Sequence, residues 1–214
     1  SIISEWKAIK LNPSYTFLKS YRQRAKLIPK TAFWIFSSLI FNHYKPIIEI
    51  NTNFFEILVP DDIDEEIVKK IRNDLKNKEI RIRTVKELIE NNLFYEKLVS
   101  NRGSENCDLI IKDKNKMETK RDIPLIKLLG KKNIRFMYAA GKLKWNLSYW
   151  NKYYDGILCY GPYHEVKFNI RHKIPSSQMG YPRFDKYFKP GFSRDYLIKK
   201  FKCDPKKKTI VWLT

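Results

Sequence analysis

Tyr153–Asp185 reads YYDGILCYGPYHEVKFNIRHKIPSSQMGYPRFD, and its order of apolar runs and turn residues decides the fold. Gly156–Tyr160 is an apolar run of strand length, closed by the turn pair Gly161–Pro162. A short basic helix is predicted next, over Tyr163–His172. A second strand, Ser177–Gly180, then runs into Tyr181–Asp185. Both turns follow apolar runs, so they lie at the carboxyl ends of strands. In open α/β sheets ligands bind at those ends. The stretch predicts both an α/β fold and its working edge.

Outward from it, the pattern alternates in the same way from Pro46 onward. Strands are expected at Ile47–Ile50 or Phe55–Val59, then at Ile80–Thr84, Leu98–Asn101, Asp108–Lys112, Ile134–Ala139 and Thr209–Leu213. Helices are expected at Asp64–Asn77, Val85–Asn92, Pro124–Lys131, Leu147–Tyr154 and Arg194–Lys202. The acids Asp61–Glu66 suit a helix start, where side-chain oxygens cap free N–H groups and the dipole favours negative charge. Ser193 is placed as the cap of Arg194–Lys202. Strands alternating with helices of this length give parallel βαβ units and a doubly wound, mostly parallel sheet.

Three domains of sequence follow. Residues 1–45 form a basic, aromatic extension with eight Lys and Arg against one acid, Glu5, and Pro13, Pro29 and Pro46 divide it into short helices. Residues 46–208 form the α/β domain. Residues 209–214, TIVWLT, begin a strand that either pairs back onto the sheet or opens a further domain. The run Ala32–Phe41 falls short of the ~20 apolar residues that span a bilayer.

The 214 residues carry 43 Lys and Arg against 23 Asp and Glu, a net charge of +20, which favours anionic partners: nucleic acid, an anionic membrane face or phosphorylated substrates. A lysine-rich surface that is merely solvated accounts for the same count. Cys107, Cys159 and Cys203 are far apart, so no CxxC metal or redox spacing exists. There is no His/Cys/Asp/Glu cluster of metal spacing, no GxGxxG, no GxxxxGK[ST] and no GxSxG, so no cofactor or metal is expected.

Four groups of residues are candidates for chemistry. Ala139–Gly141 follows a strand directly, and Lys142 and Lys144 follow the glycine, where they can meet phosphate. Seven basic residues and no acid lie in Ile123–Tyr154: Lys127, Lys131, Lys132, Arg135, Lys142, Lys144 and Lys152. Gly161, Tyr163 and His164 form a second loop, in which a histidine at a helix start can act as base or contact phosphate. Gly180–Asp185 is the third loop. Its Arg183 either forks onto a phosphate or carboxylate, oriented by Asp185, or closes the loop as a structural Arg–Asp pair. His43 and His172 have no partner pattern and read as structural.

The order strand, YDGILCYGPYH, helix, strand, GYPRFDKY, helix, KKKTIVWLT resembles the N-terminal domain of GT-B-type transferases, and within them the CDP-glycerol glycerophosphotransferase family of teichoic-acid and capsule-like polymer synthesis. UDP-GlcNAc 2-epimerases share the fold and a similar exit after the strand. The resemblance covers residues 46–214 and is carried by Ile134–Asp185 and the terminal strand. It implies a Rossmann-like N-terminal half of a GT-B fold. It also implies a nucleotide-activated donor bound mainly by a second domain beginning near Thr209, and a phosphorylated or lipid-linked acceptor bound here. In that family a His-Gly loop after a core strand supplies the base. Here the matching pair is Ala140–Gly141, so the resemblance leaves the base to His164 or an acid such as Asp185.

The expected function is therefore transfer in cell-surface polysaccharide or teichoic-acid-like polymer assembly, in the cytoplasm or peripheral at the inner face of the plasma membrane. Gly141, Lys142, Lys144, Gly161, Tyr163, Gly180 and Arg183 would bind substrate. The basic N-terminal helices would meet anionic lipid, or else pack on the domain as an extension or a first core helix. The rivals are a nucleic-acid-binding basic α/β module and a non-catalytic remnant.

Overall fold

A computed structural model of the chain describes residues 21–75, 79–101, 125–137, 141, 143–188 and 193–208. Among these, seven strands form one sheet: β1 Lys26–Trp34, β2 Phe55–Val59, β3 Ile82–Thr84, β4 Leu93–Ser100, β5 Gly130–Phe136, β6 Gly156–Cys159 and β7 Ser176–Gln178. Their order is β3-β2-β1-β4-β5-β6-β7, and every neighbouring pair is parallel. Helices α1 Ser38–Ile48, α2 Glu65–Asp74, α3 Val85–Glu90, α4 Leu125–Leu129, α5 Leu143–Asn146, α6 Pro162–His172 and α7 Arg194–Phe201 complete the layers, with 3-10 turns at Tyr149–Tyr153 and Pro182–Phe188. This is a doubly wound, Rossmann-like α/β fold.

The two faces of the sheet are covered separately. On one, Phe33, Ile57, Val59, Val99 and Phe136 pack against Phe41, Tyr44 and Ile48 of α1 and Ile71 of α2. On the other, Ala32, Trp34, Leu58 and Leu98 meet Val85, Leu88 and Ile89 of α3 and Leu128 and Leu129 around α4. Gly130 is required where β5 begins, because a Cβ there would lie 2.7 Å from Leu98 Cβ of β4 and from Asn133 Oδ1. The expected caps are in place: Asp64 accepts from Glu66 N at 2.9 Å and Ser193 from Tyr196 N at 3.1 Å.

The largest correction concerns residues 26–34, where short helices are expected and the structure has β1, the strand between β2 and β4. Ala32, Phe33, Trp34 and Ile35 are all buried, as a strand covered on both faces demands. Such a strand shows no alternation, so its apolar run reads equally well as helix. Pro29 marks an irregularity, not a helix break: the β1–β4 register slips between Ile28 and Thr31. Proline has no N–H for the ladder and is tolerated at a bulge. Pro46 lies inside α1, which also takes Ile47 and Ile48, and the strand of that region is Phe55–Val59. Residues 1–20, 108–112 and 209–214 lie outside the described residues.

Candidate functional site

The chain runs outward from β1 through β2 to β3 and then crosses back to β4 on the other side of β1, so the connections after β1 and β4 diverge and open a crevice at the carboxyl edge. Further along the same edge, the ends of β6 and β7 bring two of the predicted loops together. Tyr160 follows β6, and Tyr181 follows β7 after Gly180, whose φ of +69° favours glycine. The rings of Tyr160 and Tyr181 stand 4.2 Å apart, edge to face. His164, in the first turn of α6, lies 6.1 Å from Tyr160 and 5.4 Å from Tyr163. Gly161 caps α6 with extended backbone and open space about its Cα, so its lack of a side chain serves access, not conformation.

Arg183 turns inward from the Pro182–Phe188 turn. Its Nη1 donates to His43 Nε2 of α1 at 3.2 Å. The guanidinium also covers the Tyr181 ring at 4.5 Å and the Phe184 ring at 5.2 Å. Arginine only donates, so His43 is the neutral tautomer with its proton on Nδ1. Burial first, and then the charge of Arg183, lower the His43 pKa to about 4. Among the described residues no ion pair joins Arg183 to Asp185, which is exposed. Arg183 thus buttresses the loop from beneath, and His43 is its partner.

The loop after β5 is held differently. Arg135 is fully buried. Its Nη1 donates to Asn146 O at 2.7 Å and Asn151 Oδ1 at 2.8 Å, and its Nη2 to Asn146 Oδ1 at 2.7 Å. The guanidinium lies 5.3 Å from the Phe168 ring centroid. Arg135 therefore pins the segment 143–153 onto the sheet and does not face a phosphate. Lys127 pairs with Asp155 at 3.1 Å and Lys131 with Glu96 at 3.3 Å. Lys131 and Lys132 sit at the amino end of β5, ~13–17 Å from its carboxyl end at ~3.3 Å per residue. Among the described residues the basic side chains of this region do not form one patch. Gly141 and Lys144 are exposed on the loop after β5, and Lys142, with Ala140, lies outside the described residues.

A cleft of about 330 Å³ opens beside the ends of β1 and β2. Trp34, Phe36, Pro60, Ile63 and Ile67 line it, with the carboxylates of Asp62 and Asp64. Asn101, buried at the end of β4, has neither side-chain amide atom hydrogen-bonded.

Reading the sequence alone missed Tyr160, the pairing of His43 with Arg183 and the inward role of Arg135. The aromatic spacing near Gly161 and Gly180 was visible, but no local signal couples α1 to a turn 140 residues later. Among the described residues no group of His, Cys, Asp and Glu could hold a metal ion, and no helix is long and apolar enough to cross a membrane. No protein-family model, curated protein or solved structure matches the chain.

Proposed function

We propose that this domain is the acceptor-side half of a GT-B-type transferase, acting in cell-surface polysaccharide or teichoic-acid-like polymer assembly. The observation that carries the reading is the convergence of Gly161, Tyr163, His164 and Gly180 on one carboxyl edge of an all-parallel seven-stranded sheet. That edge is where such sheets take ligands. Open space at Gly161 admits an acceptor hydroxyl beside the His164 ring. His164 takes the hydroxyl proton as the oxygen attacks the activated donor, and the nucleoside phosphate leaves. Gly141 and Lys144, with Lys142, receive the acceptor phosphate. Arg183, held by His43, positions the loop and leaves Asp185 at its outer rim. The donor is nucleotide-activated.

The test is a titration of the chain with glycerol phosphate, followed by amide and imidazole NMR shifts. Saturable shifts at Gly161, His164 and Gly180 are expected, with Lys144→Gln weakening binding about fivefold through one lost charge contact. Absence of saturable shifts would sink the acceptor assignment. Binding of an oligonucleotide with a steep salt slope, and of no glycerol phosphate, would assign the domain to nucleic acid instead.

A further inference from the structure

We propose that the face built by α6 and the Pro182–Phe188 turn docks on an anionic lipid bilayer. Three residues of α6 at helical spacing, Tyr163, Val166 and Ile170, are exposed by 57%, 53% and 73%. They lie opposite Phe168, which is fully buried against the domain, so α6 is apolar on both sides. A helix covered on one side only has no folding reason for a second apolar stripe.

The stripe is not isolated. Ring contacts run from Tyr163 to His164 at 5.4 Å, His164 to Tyr160 at 6.1 Å, Tyr160 to Tyr181 at 4.2 Å, Tyr181 to Phe184 at 4.4 Å and Phe184 to Tyr187 at 5.7 Å. This chain ends beside Phe188, which is exposed by 87%. Tyrosines with an apolar body and a polar tip suit the headgroup level.

Charge selects the partner. Lys167, Arg171 and Lys173 lie along α6 and past its end, and the Lys167 ammonium sits 5.5 Å from the Tyr163 ring centroid. Of the acids here, Glu165 accepts from Gln178 Nε2 at 2.7 Å, and Asp185 is exposed on the turn. An apolar stripe rimmed by lysine and arginine is the composition of an interfacial helix on anionic lipid. The same face borders Gly161 and His164, so a lipid-linked acceptor would reach the site without its chain leaving the bilayer. The docking itself does not depend on that chemistry. It also moves the membrane contact away from residues 26–45, where β1 and α1 bury most of the apolar residues in the core.

The experiment is flotation of the chain with vesicles of phosphatidylcholine, with and without about one third phosphatidylglycerol. Wild type is expected to float with the anionic vesicles. Val166→Asp with Ile170→Asp should weaken binding about 100-fold, near tenfold for each aliphatic side chain withdrawn from the interface. Its melting temperature should hold, because both side chains are exposed in the folded domain. Ile50→Asp with Asn51→Asp changes the charge equally at a remote exposed site and should weaken binding far less. Equal loss in both double variants would reduce the contact to bulk charge and overturn the proposal. A wild-type dimer in sedimentation that the α6 variant dissolves, with flotation unchanged, would assign the face to a second copy. Glycerol phosphate binding is read separately, so failure of the transferase reading leaves this test intact.

Discussion

One proton on His43 governs how the candidate loop responds to pH. Its pKa falls to about 4 from the ordinary 6.5, so the unfolded chain takes up a proton that the folded chain refuses. Stability is therefore complete above about pH 6.5 and declines as pH drops toward about 4, by at most ~3 kcal/mol at ~1.4 kcal/mol per unit. Denaturant unfolding between those limits should show this slope, and His43→Gln should flatten it. Arg183→Ala removes the hydrogen bond and the ring stacking, at a cost of about 1–2 kcal/mol. It should also reduce the slope, because one neighbouring charge is gone. A variant with unchanged melting and unchanged slope would mean that Arg183 points to solvent. Chemical type was legible at this scale: Arg183 was identifiable as a guanidinium in a Gly-Tyr-Pro turn. Its partner was not, because the competing local choice, Asp185, is only two residues away and the actual one is on α1.

At the scale of elements, Arg135 decides where the loop after β5 lies. Its three bonds to Asn146 and Asn151 replace backbone contacts that an irregular segment cannot make for itself. Arg135→Met is expected to remove the donors to Asn146 O, Asn146 Oδ1 and Asn151 Oδ1 inside the domain, costing about 2–4 kcal/mol. Amide exchange should quicken over residues 143–153 more than over β5 itself. Uniform protection in the variant would refute the pinning role. Helices α2, α6 and α7 were legible because caps, dipole charges and the Gly161–Pro162 start are local signals. Strand β6 was legible because turn residues bound a short apolar run. Strand β1 was not. A parallel strand buried on both faces loses its period of two, and Pro29 then imitates a helix boundary.

Across the whole molecule, one buried charge cluster ties four strands. Glu56 Oε2 of β2 accepts from Arg83 Nε of β3 at 3.0 Å and from Tyr95 OH of β4 at 2.9 Å, and its Oε1 lies 3.5 Å from Lys30 Nζ of β1. Arg83 also pairs with Glu87 of α3. Glu56→Ala takes one of two carboxylate partners from the buried Arg83 guanidinium and the acceptor from Tyr95 OH, so a loss of about 2–3 kcal/mol is expected in a single cooperative transition. Glu56→Gln should cost less, since its amide oxygen still accepts from one donor. A loss below ~1 kcal/mol would show the cluster to be solvated. By itself the sequence determined the fold class, most helices and the edge of the sheet that carries the loops, because apolar period, caps and turn residues act over a few neighbours. Only the tertiary structure decided that residues 26–34 form an interior strand of the sheet, that Arg135 and Arg183 face inward, and that Tyr163, Val166 and Ile170 face outward. Those outcomes depend on which surfaces the chain brings together, and burial is a property of that meeting rather than of any one segment.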